Sequence, residues 1–331
     1  MAVVKNAAVV ENASTVTQPL LLVLLGPTAS GKTALSLALA KRFNGEIVSC
    51  DSVAVYRDLE IGAAKPAAAE RAQVSHHCID IVSPEREYSA GNYQRDGRAA
   101  IADIAVRGHL PIVTGGTGLY LRALLEGLFD GPQRSEPLRA RLRRSAARHG
   151  AGWLAHLLER LDPPAAERIH ANDTPKLIRA IEVSLEARRP LTEAWKTGVA
   201  PLTGYRILRL GLAPERAALY QRIDARAAAM FERGLVAETQ RLMATYGGEH
   251  RIHIPRALDA LGYRQARQLL AGELSEAQAI EAAQRGHRNY AKRQFTWFRR
   301  EPEVRWLAGF GDDAEIQQAA MEAVASALPS A

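Results

Sequence analysis

A phosphate-binding loop near the start of the chain constrains the fold more than any other feature. Residues 26–33 read Gly-Pro-Thr-Ala-Ser-Gly-Lys-Thr and satisfy the pattern G-x-x-x-x-G-K-[ST]. The apolar run Leu20–Leu25 before the loop predicts a buried strand, and the segment after it has helical composition. Because a strand, a glycine loop and a helix N-terminus form an anion site from backbone N–H groups, the chain is predicted to bind a di- or triphosphate.

Apolar runs separated by helical segments predict an α/β fold. Besides Leu20–Leu25, strands are predicted at Glu46–Cys50, Cys78–Val82, Leu110–Thr114 and Arg206–Leu212. Continuous apolar runs are typical of parallel strands that are covered on both faces. The expected fold is therefore an open parallel sheet of the P-loop NTPase-like kind.

A change of composition marks a helical insertion. After about residue 131 the chain becomes rich in arginine and alanine, and prolines interrupt it. The predicted organisation is a disordered tail, a P-loop α/β core, a helical insertion, a core strand and helix, a second helical segment, and a basic-aromatic helix with a C-terminal core segment. Their boundaries are, in that order, 1–18, 19–130, 131–202, 203–232, 233–283 and 284–331.

Charge and cysteine content narrow the class of protein. The 331 residues carry a formal net charge of +7, which fits a polyanionic partner. Cys50 and Cys78 lie in apolar stretches and are predicted to be reduced and buried. No apolar run approaches the length of a membrane helix, and the first residues do not form a secretory signal. We expect a cytoplasmic protein that acts as a monomer.

Polar groups follow two of the predicted strands. Asp51 comes directly after the second strand, where it is placed to act as a base or a Mg²⁺ partner, or else to cap a helix. The strand Leu110–Thr114 runs into Gly-Gly-Thr-Gly, in which Thr117 supplies a hydroxyl. Nucleotide hydrolases often end this strand on an aspartate that manages Mg²⁺, so Thr114 argues against simple ATP hydrolysis.

Several cations have two possible roles each. Lys65 is either near phosphate or on the surface. Arg222 and Arg226 lie one helical turn apart and are either phosphate-clamping groups or members of surface ion pairs. A stripe of arginines between Arg134 and Arg148 is basic, but its sequence does not reveal a partner.

The last motif along the chain is a basic and aromatic segment. From Arg285 to Arg300 cations alternate with Tyr290, Phe295, Trp297 and Phe298. Basic side chains bind phosphates and aromatic rings stack on unpaired bases, so this segment favours a nucleic acid partner over a plain amphipathic core helix.

Taken in order, these motifs resemble the tRNA dimethylallyltransferases of the bacterial type. The resemblance rests on the phosphate loop, Asp-Ser-x-x-x-Tyr from residue 51, Ile-Gly-x-Ala-Lys-Pro from residue 61, Gly-Gly-Thr-x-Leu-Tyr from residue 115, Gly-Tyr-Arg-Gln from residue 262 and Lys-Arg-Gln-x-Thr-Trp-Phe-Arg from residue 292. It covers about residues 20–308. It implies transfer of a dimethylallyl group from its diphosphate to the exocyclic amine of the adenosine 3′-adjacent to the anticodon, in tRNAs that read codons starting with U.

The resemblance also implies roles for individual residues. Asp51 would accept the amine proton, Thr117 and Arg226 would lie beside the reacting groups, Lys32 would contact the diphosphate, and Thr33 would bind Mg²⁺. The implied diphosphate-binding residues are Gly26, Pro27, Thr28, Ala29, Ser30, Gly31, Lys32 and Thr33. The implied tRNA-binding residues are Asp51, Ser52, Val53, Ala54, Pro175, Lys176, Leu177, Ile178, Arg179, Leu258, Asp259, Ala260, Leu261, Gly262, Tyr263, Lys292, Arg293, Gln294, Phe295, Thr296, Trp297, Phe298 and Arg299.

The chain departs from the family pattern at Asp259, where some relatives carry a basic residue, and this weakens the expectation of a phosphate contact there. Three alternatives remain at the level of the sequence. The first is a small-molecule kinase with the same loop and sheet, the second an enzyme that prenylates free adenine nucleotides, and the third a non-catalytic RNA-binding NTPase.

Overall fold

The core is a parallel sheet flanked by helices. The structure, a computed structural model, describes residues 18–129, 131–132, 134–196, 200–247 and 255–328, so all of the predicted 1–18 tail except Gln18 lies outside the described residues. Within this part of the chain the sheet has six strands, and every strand pair is parallel. The strands are β1 (Leu20–Leu25), β2 (Gly45–Ser49), β3 (His76–His77), β4 (Leu110–Thr114), β5 (Arg206–Leu212) and β6 (Val304–Leu307).

The strand order, β3-β2-β4-β1-β5-β6, places the strand before the phosphate loop inside the sheet. Leu22 of β1 pairs with Ile112 of β4 on one side and with Leu208 of β5 on the other. All six residues of β1 are buried, as expected of a parallel strand covered on both faces. The predicted α/β fold class is confirmed.

Helices supply the rest of the described architecture, apart from one 3₁₀ turn at Arg256–Asp259. The helices before β5 are α1 (Lys32–Arg42), α2 (Ala68–Gln73), α3 (Ala90–Val106), α4 (Gly118–Leu125), α5 (Glu136–His149), α6 (Trp153–Leu161), α7 (Pro163–Arg168), α8 (Thr174–Glu186) and α9 (Leu191–Ala194). The helices after β5 are α10 (Arg216–Glu232), α11 (Leu235–Tyr246), α12 (Tyr263–Leu270), α13 (Glu276–Phe298) and α14 (Ala314–Ala327).

One strand prediction is wrong, and one strand was not predicted. The predicted strand Cys78–Val82 is displaced to His76–His77, because Cys78 and Asp80 adopt left-handed backbone angles (φ 60° and 57°) that extended chain excludes. Strand β6 escaped prediction because it is a short edge strand with mostly exposed or half-buried residues, so it lacks a continuous apolar pattern.

The chain divides into two compact units. The first comprises residues 1–87, 99–118 and 203–331, and its core packs α1 and α14 against the sheet. The second comprises residues 88–98 and 119–202 and has its own apolar core from α5 to α9. The sequence-based domain boundaries remain predictions. One of them, residue 130, and residues 133 and 197–199 of the predicted insertion lie outside the described residues, as do 248–254 and 329–331.

A buried carboxylate organises the arginine-rich part of the second unit. Glu182 on α8 accepts hydrogen bonds from Arg139 and Arg179. Burial acts to raise the pKa of Glu182, but the bonds from Arg139, the Ser135 amide and Arg179 outweigh it and bring the pKa to about 2. Other members of the basic stripe, Arg134 and Arg143, pair with Glu136, the first residue of helix α5. Part of the stripe is therefore structural.

A second buried carboxylate, Glu46 on β2, contacts three basic side chains. Arg107 donates to both of its oxygens, and His77 Nε2 lies 2.7 Å from Oε2. Burial acts to raise the pKa of Glu46, but hydrogen bonds from Arg107, His77 and His109 lower it to about 2.

Glu46 should make the fold acid-sensitive. Because its pKa is lowered in the folded state, its stabilising contribution is complete above its ordinary value of 4.5 and is lost as the pH falls through about 2. We expect the free energy of unfolding to drop by about 2 kcal/mol over this range from this group. Urea unfolding at pH 2 to 6 measures the loss, and the variant Glu46→Gln should remove this part of the pH dependence. An unchanged pH dependence in the variant would contradict the assignment.

Both cysteines, Cys50 and Cys78, are buried, as predicted. Among the described helices, none has the length and apolar content needed to cross a membrane.

Candidate active site

The phosphate loop leaves the N-terminus of α1 open. Gly31, the residue before the helix, has φ 87°, a conformation that glycine adopts without strain, and no side chain caps the helix. Within the described residues the amides of Lys32, Thr33 and Ala34 have no protein acceptor. Unsatisfied N–H groups at the positive end of a helix dipole form an anion site.

Lys32 is hydrogen-bonded to the main chain of the phosphate loop. Its ammonium group donates to the carbonyls of Gly26 at 2.9 Å and Pro27 at 2.7 Å. Burial first, and then the charge of Arg226, lower the pKa of Lys32 from 10.5 to about 7, although Asp51 acts in the opposite direction. A bound anion would favour the charged form of this lysine.

Asp51 lines the same cavity as the loop and follows the carboxyl end of β2. Its Oδ1 accepts hydrogen bonds from the amides of Val53 at 2.8 Å and Ala54 at 3.2 Å, which close a turn. The chain continues as turns, so the helix-cap alternative does not apply. In the described part of the chain Oδ2 has no hydrogen-bond donor. One carboxylate oxygen is therefore fixed while the other remains available to a ligand.

Thr117 supports the segment that carries Asp51. Its amide donates to Cys50 O at 3.1 Å, and its hydroxyl accepts from the Ser52 amide at 3.0 Å. Thr114, Gly115 and Gly116, which precede Thr117, line the cavity.

The two arginines of α10 differ in their partners. Arg222 pairs with Asp312 at 2.7 Å and lies over the ring of Phe310. Arg226 forms no hydrogen bond or ion pair with the described residues. Burial lowers the pKa of Arg226 while the charge of Asp51 raises it. An arginine, which stays charged in proteins, that lines a cavity without a protein partner indicates an anionic ligand.

Lys65 is not at the surface, and although it lines the same cavity as the phosphate loop, its charge is paired. Its side chain has no exposed area, and its ammonium group donates to Tyr56 O at 2.8 Å and pairs with Glu60 and Asp80. It therefore secures the turns that follow Asp51 instead of presenting a free charge.

Helix α13 contributes an inner face to the site. Gln294 is 4% exposed, accepts from the Thr28 amide at 2.8 Å and donates to Gly116 O at 2.9 Å. Tyr290 donates to the same carbonyl at 3.0 Å, and burial raises the pKa of this tyrosine. Burial and the nearby Arg226 lower the pKa of His287 to about 4, so this histidine is neutral at physiological pH.

These elements enclose a cavity of about 570 Å³ in the first unit. Two buried hydroxyls in its wall, Ser30 Oγ and Thr114 Oγ1, have no hydrogen-bond partner in the structure. Buried polar atoms without partners are costly, so such hydroxyls favour a ligand that bonds to them. Lys32, Arg226 and Asp51 line the same cavity.

The residues predicted to contact tRNA divide by exposure. On α13 Lys292, Arg293, Thr296 and Arg299 are exposed, whereas Gln294 and Phe298 are buried. Pro175, Lys176, Leu177, Ile178 and Arg179 belong to the second unit. Several further members of the predicted set have buried side chains: Ala54, Leu177, Ile178, Leu258 and Tyr263.

Local contacts explain two members of the Leu258–Tyr263 segment. Tyr263 donates to the buried carboxylate of Glu238 at 2.6 Å, so its hydroxyl is already engaged. Asp259, the departure from the family pattern, is exposed and pairs with Arg267 at 2.8 Å, which neutralises its charge.

The sequence did not predict that Asp312 pairs with Arg222 or that Gln294 contacts the phosphate loop. Both contacts join segments distant in the chain: Arg222 with Asp312, and Thr28 with Gln294. Local patterns carry no signal for them. The density of polar and aromatic side chains on α13 was the only available hint.

Comparisons with known proteins identify the family of this chain. The family model described as IPP transferase matches residues 54–301. A tRNA dimethylallyltransferase of Koribacter versatilis is 62% identical over 306 residues, covering 92% of this chain and 98% of the relative.

Two solved structures are similar to this chain. The full-length tRNA isopentenylpyrophosphate transferase of Bacillus halodurans has a TM-score of 0.68 at 35% identity and covers 93% of this chain and 96% of its own. A eukaryotic dimethylallyltransferase, described in crystallographic snapshots of its action on tRNA, has a TM-score of 0.76 at 27% identity and covers 94% of this chain and 80% of its own. With the family model spanning most of the chain and a relative matching nearly all of it, this protein belongs to the IPP transferase family, that of the tRNA dimethylallyltransferases.

Proposed function

We propose that this protein transfers a dimethylallyl group from dimethylallyl diphosphate to the exocyclic amine of the adenosine 3′-adjacent to the anticodon, in tRNAs that read codons starting with U. One observation carries the proposal. An open helix N-terminus, the cations Lys32 and Arg226, and a carboxylate with a free oxygen, Asp51, line a single cavity. This set combines a site for a leaving diphosphate with a site for a departing proton.

The reaction requires charge stabilisation on one side and proton removal on the other. As the allylic carbon–oxygen bond breaks, both bonding electrons go to the diphosphate, and its growing charge is stabilised by the loop amides, Lys32 and Arg226. As the new carbon–nitrogen bond forms, the amine proton passes to Asp51 Oδ2. The turn that fixes Oδ1 also holds Oδ2 in place, so orienting the base costs no further conformational entropy.

The residues present fit a Mg²⁺ ion of the kind that keeps its waters. The described residues contain no cluster of three or more His, Cys, Asp or Glu side chains that could hold a metal. Mg²⁺ in phosphate sites instead takes few protein ligands and completes its shell with water and phosphate oxygens. The exposed Thr33 hydroxyl at the start of α1 would supply the protein ligand. When bound, the ion would neutralise diphosphate charge.

The RNA partner is proposed to contact the exposed cations of α13, including Lys292, Arg293 and Arg299. The target base must leave its stack to reach Asp51, which costs a few kcal/mol and less in a loop than in a duplex. A single chain carries both the diphosphate loop and the base, which supports a monomer, and the tRNA substrate supports a cytoplasmic location.

Prenyl transfer to tRNA is tested directly by incubating the purified protein with Mg²⁺, dimethylallyl diphosphate and unmodified tRNA. Nucleoside analysis should show prenylated adenosine, and its absence would reject the activity. Mg²⁺-dependent ATP turnover with a small acceptor would instead favour a kinase. Equal rates with free adenine nucleotides would favour a nucleotide prenyltransferase, and tight nucleoside triphosphate binding without transfer would favour an RNA-binding NTPase.

A further inference from the structure

The buried amide of Gln294 joins two loops that are far apart in the chain. Its Oε1 accepts from the Thr28 amide at 2.8 Å, and its Nε2 donates to Gly116 O at 2.9 Å. Because a backbone N–H can only donate and a carbonyl can only accept, these two partners fix which end of the amide faces which loop. Both partners are main-chain groups, so this link does not depend on the side chains of either loop.

Both loops form part of the active-site wall. Thr28 belongs to the phosphate loop, and Gly116 belongs to the glycine segment after β4. A Cβ atom at residue 116 would lie 2.3 Å from Gln294 Nε2, so the contact requires glycine there. Tyr290, one turn earlier on α13, donates to the same Gly116 carbonyl at 3.0 Å. The glycine segment is therefore held from the helix side at one defined carbonyl.

The glycine segment also contacts the residue that precedes Asp51, the proposed general base. The Thr117 amide donates to Cys50 O at 3.1 Å, and a Cβ atom at Gly115 would lie 2.2 Å from the same carbonyl. Cys50 immediately precedes Asp51. A continuous chain of short contacts thus runs from the phosphate loop through Gln294 and Gly116 to the peptide that carries Asp51.

We propose that Gln294 is a positioning residue that sets the distance between the diphosphate loop and Asp51. The inference rests on the proposed function, because it assigns the two linked parts to the leaving group and the base. Transfer depends on their separation since both must meet one substrate carbon and one amine in line, and a displacement of about 1 Å can cost 10²-fold in rate. Gln294 itself need not touch either substrate.

The test uses Gln294→Met, which keeps the length of the side chain and removes both hydrogen bonds. We expect kcat for prenyl transfer to fall about 10²-fold while KM for tRNA stays within threefold, because misalignment affects the transfer step. Affinity for inorganic pyrophosphate, measured by calorimetry, should fall about tenfold because the Thr28 amide loses its acceptor and the loop its anchor. If Gln294 only stabilised the fold, the variant would have a lower melting temperature but would not show a large fall in kcat at a nearly unchanged KM.

Gln284→Met is the matched control. Gln284 lies on the same helix and bonds to the backbone of α10 through Asp224 O at 3.1 Å, but it touches neither loop. This variant should keep kcat and pyrophosphate affinity within twofold of the unmodified protein. If it lost as much activity as Gln294→Met, or if Gln294→Met behaved like the unmodified protein, the proposal would be overturned.

Gln294→Glu provides a second test, and it carries the proposal if the methionine variant does not fold. The introduced carboxyl still accepts from Thr28, but it can donate to Gly116 O only when it is protonated. Its kcat relative to that of the unmodified protein should therefore rise as the pH is lowered from 8 to 6, and a flat ratio contradicts the model. Pyrophosphate binding does not depend on prenyl transfer. If the unmodified protein showed no prenyl transfer, the proposed function would be rejected, but the pyrophosphate affinity of the variants would still test the Gln294 contact.

Discussion

Replacing Asp51 with asparagine should lower kcat for prenyl transfer about 10³-fold, the range expected when a general base is removed. Asparagine keeps an acceptor for the Val53 and Ala54 amides, so the turn should persist. What it loses is the capacity of the second oxygen to take the amine proton. Single-turnover assays with saturating tRNA and dimethylallyl diphosphate measure the effect.

Binding should be spared in this variant. The dissociation constant for tRNA, measured by filter binding, is expected to stay within threefold, because one carboxylate contributes little to an interface dominated by phosphate contacts. Asp58→Asn is the control: this residue is exposed, and its left-handed backbone (φ 65°) is one that asparagine tolerates. A turnover of Asp51→Asn within tenfold of the unmodified protein would exclude Asp51 as the base.

Replacing Arg226 with glutamine should lower kcat/KM for dimethylallyl diphosphate about 10²–10³-fold, because a preorganised cation aimed at the leaving group is lost. Arg226 is the pocket arginine without a partner among the described residues, so its charge is available to the substrate. Steady-state kinetics with varied dimethylallyl diphosphate provide the measurement. Arg226→Lys should recover part of the loss, since it restores the charge but not the planar fork.

Arg216→Gln is a suitable control for this change. Arg216 begins the same helix, is exposed and bonds to the hydroxyl of Tyr220 at 3.2 Å. Its replacement should leave kcat/KM within twofold. Comparable kinetics for Arg226→Gln and Arg216→Gln would show that Arg226 does not act on the leaving group.

The sequence predicted the parts of the fold whose signals are local. Strands β1, β4 and β5 have the boundaries that their apolar runs indicated, and α1 follows the glycine loop as expected. The displaced β3 and the missed β6 show the limit of this reasoning. A strand that is two residues long, or exposed at an edge, has too little apolar pattern to be detected.

The roles of the cations were decided by contacts that no local pattern encodes. Arg222 and Arg226 are equivalent by spacing, yet Arg222 is neutralised by Asp312, 90 residues further along the chain. Lys65 was expected near phosphate or at the surface; it lines the phosphate-loop cavity, but its charge is paired with Glu60 and Asp80. Gln294, grouped with the tRNA-binding residues in the sequence motif, is buried with both amide ends occupied.

The sequence alone determined that this protein has a phosphate loop within a parallel α/β sheet and resembles the tRNA dimethylallyltransferases, because backbone geometry and apolar periodicity act over a few residues. Only the tertiary structure decided which charges are free to meet a substrate. Ion pairing depends on which distant segments fold against one another. A buried cation that already pairs with a carboxylate of the protein has little charge left to bind a substrate.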